Sequence, residues 1–180
     1  TPNTVLQSIS QNTSGANKSE IVNSPPSPPQ EILIDDFDVE SISSSERYGS
    51  SDNFKIVETP TAPHGGNSLA VSSNQNHNTL EVNTLPNGMP ERGDTITYYT
   101  KLSSAATSHY LTLGFGKNES GSYEAKIANS KVQLKTENTS NSTSYNVSTG
   151  IWYKNTIQWG EATITYDIAP VCGSTVATVQ

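Results

Sequence analysis

The chain has 180 residues and a net charge of −7, with 32% hydrophobic and only 15% charged residues, a length that fits one domain plus an appendage. Its ten Lys and Arg are spread along the chain, which argues against nucleic-acid binding and against an anionic membrane surface, since both need a basic patch. A single cysteine, Cys172, excludes an internal disulfide, and no apolar run approaches the roughly 20 residues of a membrane span.

Residues 1–30 are sparse in apolar side chains and end in Ser24-Pro25-Pro26-Ser27-Pro28-Pro29. Such a run is a stiff polyproline spacer. This segment is expected to be either an extended N-terminal arm that anchors the protein on a neighbour or a disordered terminus. From Glu31 the texture changes to short alternating runs separated by turn residues. Alternation of period two predicts strands with one buried and one wet face. In chain order the predicted strands centre on Ile32 and Ile34, Phe54 to Val57, Leu69 to Val71, Leu80 to Val82, Ile96 to Tyr99 and His109 to Phe115. They continue with Tyr123 to Ile127, Val132 to Leu134, Ile151 to Trp159, Ile164 to Ile168, and Ala177 to Val179. Turns are predicted at His64-Gly65-Gly66-Asn67, Pro86-Asn87-Gly88, Glu91 to Asp94, Asn118 to Gly121 and Gly150. No window has helical periodicity. About eleven short strands predict an all-β antiparallel sandwich of jelly-roll type over residues 31–180.

The residues then resemble a family. Leu33-Ile34-Asp35-Asp36-Phe37-Asp38, Gly65-Gly66-Asn67-Ser68-Leu69-Ala70-Val71 and Arg92-Gly93-Asp94-Thr95-Ile96-Thr97-Tyr98-Tyr99 occur in order. Leu113-Gly114-Phe115-Gly116, Trp152 to Gly160 and Gly173 to Val179 follow them. The ordered set resembles concanavalin A-like, laminin-G-like jelly rolls, and is similar to modules in surface proteins of halophilic archaea and in tail or turret proteins of their viruses. The resemblance implies a lectin-like sandwich used for adhesion or glycan contact. It also implies a closing strand after Val179, so at Gln180 either the sandwich is shorter, the sequence is a piece of a longer one, or a neighbour supplies the missing edge, since an open edge would have to be covered.

Tyr99, Tyr110 and Trp152 fall opposite the faces assigned to the core. Exposed rings of this kind stack on the apolar face of a sugar; a subunit contact or a packed second face is the competing reading. Asp35, Asp36 and Asp38 put hard oxygens at the mouth of the first strand, where a structural Ca2+ would be the only cofactor expected; turn chemistry is the alternative. Asn12, Asn17, Asn118, Asn138, Asn141 and Asn146 each open an Asn-x-Ser/Thr glycosylation signal, and the last three fall in one predicted loop. Glu58, Glu81, Glu124 and Glu161 stand singly, without the close carboxylate pair of a glycosidase. His64, His77 and His109 lack metal or triad spacing. Arg92-Gly93-Asp94 reads as a turn entering a strand, and Cys172 as a small buried residue.

These signals predict a non-catalytic, extracellular appendage of a virion or cell surface. Its expected partners are surface glycans and a homo-oligomer or other assembly, with no nucleic acid and no membrane span. The alternatives are a purely structural assembly subunit and a carbohydrate-binding module of a secreted glycoside hydrolase.

Overall fold

The computed structural model describes residues 4–8, 30–35, 37, 48, 54–58, 62–63, 65–71, 80, 82, 88–103, 110–118 and 121–180; residues 4–8, 30–35, 71, 117–118 and 121–122 are described by their backbone alone. These residues form twelve strands and no helix: β1 (Thr4–Ser8), β2 (Gln30–Asp35), β3 (Phe54–Glu58), β4 (Asn67–Val71), β5 (Thr95–Lys101), β6 (Tyr110–Asn118), β7 (Gly121–Ala128), β8 (Lys131–Lys135), β9 (Ser140–Ser144), β10 (Trp152–Trp159), β11 (Ile164–Pro170) and β12 (Ala177–Val179). They make a six-stranded sheet in the order β12-β11-β10-β5-β1-β2, a four-stranded meander β6-β7-β8-β9, and the hairpin β3-β4. All pairings are antiparallel.

The alternation read from the sequence decides which face each sheet buries. On β5 the buried residues are Ile96, Tyr98 and Thr100. On β10 they are Tyr153, Asn155, Ile157 and Trp159, and on β11 Tyr166 and Ile168. The four-stranded sheet turns Phe115, Tyr123, Ala125, Ile127, Val132 and Leu134 inward, and these side chains join those of the six-stranded sheet in one core. Burying each large apolar side chain stabilises the fold by about 1.5–3 kcal/mol relative to leaving it exposed. The molecule is therefore an antiparallel all-β fold with a core between two facing sheets.

At one end of that core the rings of Phe115, Tyr123 and Trp159 pack with centroids 5.2–5.5 Å apart. Gly116 makes this possible. Its φ of +59° belongs to the left-handed region, and a Cβ there would lie 2.6 Å from Trp159 Cζ2. Beside the six-stranded sheet's part of the core lies a buried polar network. Asn155 donates from Nδ2 to Thr100 Oγ1 (2.9 Å) and to the Tyr153 carbonyl (3.1 Å), and its Oδ1 accepts from the Tyr166 hydroxyl at 2.7 Å. Tyr98 donates to Tyr166 at 3.4 Å. Burial pushes both phenols well above their ordinary pKa. The network ties β5, β10 and β11 together through side chains in addition to the backbone ladder.

Several expectations need correction. Asn138 to Ser148 is not a continuous loop, because Ser140–Ser144 forms β9 against β8. Residues 4–8 run as β1 between β2 and β5 and Gln30 opens β2; the rest of the stretch read as an arm or disordered terminus lies outside the described residues. Of the strand expected at Leu80 to Val82, the described part is an isolated bridge from Val82 to Tyr48. Cys172 is exposed, not buried; it occupies the turn after β11 with a φ of +66°, where Gly173 donates back to the Pro170 carbonyl.

The edge formed by β12 meets β9. Asn141 and Thr143, alternate residues of β9, donate to the carbonyls of Gln180 (2.6 Å) and Thr178 (3.0 Å). Side chains of one sheet thus cover the outward carbonyls of the other sheet's last strand, the edge that a missing closing strand would leave open.

Candidate ligand-binding face

Residues of β5 and β10 that do not enter the core point to the opposite face of the six-stranded sheet. The register sets Tyr99 directly opposite Lys154, and Lys101 directly opposite Trp152. Rings and ammonium groups therefore alternate in a two-by-two block. Tyr99 and Trp152 are diagonal neighbours in it, about 7–8 Å apart at the backbone and within reach of each other's long side chains. Both rings are half-buried and both lysines exposed. The Trp152 ring lies 5.0 Å from Lys101 Nζ. Its indole nitrogen is buried and has no hydrogen-bond partner among the described residues, so the part of Trp152 turned outward is carbon.

The face continues along the strands into a groove of about 190 Å³ between β10, β11 and the segment that follows β11. Lys154, Thr156, Asp167, Ala169, Gly173 and Thr175 line it. Thr156 pairs with Thr97 on one side and with Asp167 on the other. The Thr178 hydroxyl donates to Asp167 Oδ1, which fixes that carboxylate at the rim. Hydroxyls, one carboxylate, two ammonium groups and two rings thus share one shallow surface. Such a surface can accept and donate hydrogen bonds to a polyhydroxylated ligand while offering it apolar area.

Of the three aromatic residues singled out from the sequence, the fold brings Tyr99 and Trp152 together and leaves Tyr110 apart. Tyr110 is on β6, on the outer face of the four-stranded sheet. Its ring is covered by Lys126, whose Nζ sits 3.5 Å from the ring centroid. Around it are Lys131 and the ion pair of Lys135 with Glu124 at 2.9 Å. Burial and the neighbouring Lys131 lower the pKa of Lys126, while Glu124 opposes the shift. Basic residues scattered in the sequence are therefore gathered by folding: Lys126, Lys131 and Lys135 on one sheet, Lys101 and Lys154 on the other. Lys101, Lys154, Thr156, Asp167 and Thr175 were not among the residues read as functional. Their signal is the strand pairing of β5 with β10 and of β10 with β11, which no local pattern contains.

The remaining candidates are located as follows. Asp35 lies in β2 with only its backbone described, and Asp36 and Asp38 lie outside the described residues. Among the described residues no group of three His, Cys, Asp or Glu side chains could hold a metal ion. Asn138, Asn141 and Asn146 are exposed; Asn118 is described by backbone alone, and Asn12 and Asn17 lie outside the described residues, as do Glu81 and all three histidines. The Arg92-Gly93-Asp94 turn uses its charges internally. Arg92 donates to the Tyr123 hydroxyl at 2.6 Å, and Asp94 Oδ2 accepts from the Glu91 amide at 2.8 Å. No helix among the described residues is long and apolar enough to cross a membrane.

No family model matches the chain, and neither the curated proteins nor the solved structures contain a match to it.

Proposed function

We propose that the protein is a non-catalytic surface module, a lectin-like jelly roll on a virion or cell-surface appendage, that attaches to glycans through the outer face of its six-stranded sheet. The observation that carries this reading is the placement of Tyr99 and Trp152 on one face beside a groove lined by Lys154, Thr156, Asp167 and Thr175. Sugars present an apolar face and a rim of hydroxyls, and this surface offers the complement of each. Its shallowness suits recognition of an exposed chain end or branch in preference to enclosure of a small metabolite.

A display role agrees with the rest of the molecule. The surface is rich in Ser, Thr and Asn, and the three exposed asparagines of the glycosylation signals sit at or beside β9, on the other sheet. Sugars carried there would leave the ring-bearing face open. The expected test is a glycan array probed with the wild-type chain and with Trp152→Ala and Tyr99→Ala. Loss of either ring is expected to weaken binding by about 30-fold or more, with thermal melting reported alongside to exclude unfolding. Absence of binding to any glycan on the array overturns the reading.

A further inference from the structure

We propose that the ligand of this face is an acidic sugar, its anionic group received between Lys101 and Lys154 while its ring lies against Trp152 and Tyr99. The proposal rests on the glycan reading above and narrows it to a chemical class.

The chain carries seventeen acidic residues against ten Lys and Arg. Even so, two of those ten stand in one four-residue block, diagonal to each other across β5 and β10. Like charges on diagonal positions of one sheet face, about 7–8 Å apart at the backbone, repel weakly in water. Among the described residues no carboxylate forms an ion pair with either lysine; the described ion pair is that of Lys135 with Glu124. A neutral sugar would leave this repulsion in place. An anionic group between the two ammonium groups relieves it and gains charge-assisted hydrogen bonds.

Asp167 is on β11, across β10 from Lys101 and on the strand next to that of Lys154, directly opposite Thr156, which is two residues along β10 from Lys154. The face thus runs from the rings and Lys101, through Lys154 at the rim of the groove, to Asp167 and the hydroxyls within it. An acidic sugar has the matching asymmetry, with its anionic group at one position and donor hydroxyls at others. One Asp167 oxygen is engaged by Thr178, and the other can accept from such hydroxyls.

The Lys101 ammonium lies over the Trp152 ring at 5.0 Å, and the Lys101 side chain is exposed. A flexible four-carbon stem lets it swing from the ring to the incoming anion. One motion then uncovers the stacking surface and neutralises the ligand. The corresponding cation on the other sheet, Lys126, sits closer to its ring and is half-buried among its neighbours, so Tyr110 is not uncovered in this way.

The test is a panel of carboxylated polysaccharides, polygalacturonate, hyaluronate, alginate and polysialic acid, each matched with its carboxyl-reduced neutral form, and dextran sulfate as the sulfated arm. The wild-type chain is expected to bind at least one anionic polymer about tenfold or more tightly than the neutral counterpart. That preference is expected to shrink between 50 mM and 500 mM salt (about 50 and 500, spanning the range over which screening becomes strong). Lys101→Gln with Lys154→Gln is expected to abolish the preference without loss of thermal stability. Equal binding of acidic and neutral forms by the wild type overturns this inference and leaves the glycan reading intact, as does a preference that survives the double substitution. Binding of dextran sulfate that persists in Trp152→Ala reports charge attraction alone and also overturns it. Binding to no polymer overturns the glycan reading itself.

Discussion

The four-stranded sheet turns only apolar side chains and the Tyr123 ring inward from β6, β7 and β8, and shows lysines and serines outward. The six-stranded sheet does something different on both sides. Its inner layer holds Thr100 and Asn155, and its outer layer holds Tyr99 and Trp152. These are the same strand segments: residues 98–101 and 152–155 alternate between the buried network and the outer block. A slip of one residue between β5 and β10 would exchange the two layers. Asn155, bonded to Thr100 on one neighbour strand and to Tyr166 on the other, penalises such a slip, because a displaced network would leave buried polar groups unpaired. The inner layer of one sheet is therefore apolar apart from the Tyr123 hydroxyl, and the other sheet is also keyed to a particular register beneath its candidate site.

That contrast can be broken or sharpened by substitution. The largest effect on stability is expected from Leu134→Ala in the dry layer, about 2–5 kcal/mol by denaturant unfolding, with glycan affinity unchanged at temperatures where the variant is folded. Asn155→Ala is expected to cost less, about 1–3 kcal/mol, and yet to lower glycan affinity. If affinity follows stability alone in the two variants, the register argument fails. A third effect depends on pH. Tyr98 and Tyr166 are held neutral in the fold by burial, whereas in the unfolded chain they ionise near pH ~10. Their contribution is fully present below that pH and is lost as pH rises through the raised native values. Stability should therefore fall above pH ~10, by on the order of 1 kcal/mol per tyrosine at about pH 11. Combining Tyr98→Phe and Tyr166→Phe should flatten that slope in a pH series of melting curves. The smallest effect is expected from Tyr110→Ala on the other sheet, within about 0.5 kcal/mol in stability and less than about twofold in glycan affinity. A larger loss of binding would move the site to the four-stranded sheet.

Much of the strand content is legible locally. Leu111, Leu113 and Phe115 on β6, Tyr123, Ala125 and Ile127 on β7, and Tyr153, Ile157 and Trp159 on β10 alternate in the sequence and face the core in the structure. Strand β9 is not legible, because Ser140-Asn141-Ser142-Thr143-Ser144 has no apolar residue to alternate. It is a strand through its ladder with β8 and its bonds to β12. Cys172 is exposed because the turn between Pro170 and Gly173 sets its direction, which a preference for buried cysteines cannot reveal. The site is legible in part. Alternation puts Tyr99 and Trp152 opposite the core, but only the pairing of strands separated by some fifty residues of chain makes them neighbours and gives them lysines.

The lock between β9 and β12 has a consequence during biosynthesis. The donors that close it are Asn141 and Thr143, the first and third residues of a glycosylation signal. A sugar attached to Asn141 takes one of the two protons of the amide that reaches Gln180, and brings a bulky group to the seam where the sheets meet. Glycosylation and closure therefore meet at one nitrogen. Asn141 stays exposed in the closed fold, and its substituted amide keeps one proton that can still reach Gln180, so a modified chain closes around a bulky group at the seam. Site occupancy at Asn141, read by mass spectrometry against that at its two neighbours, would report how strongly the closed seam hinders attachment there.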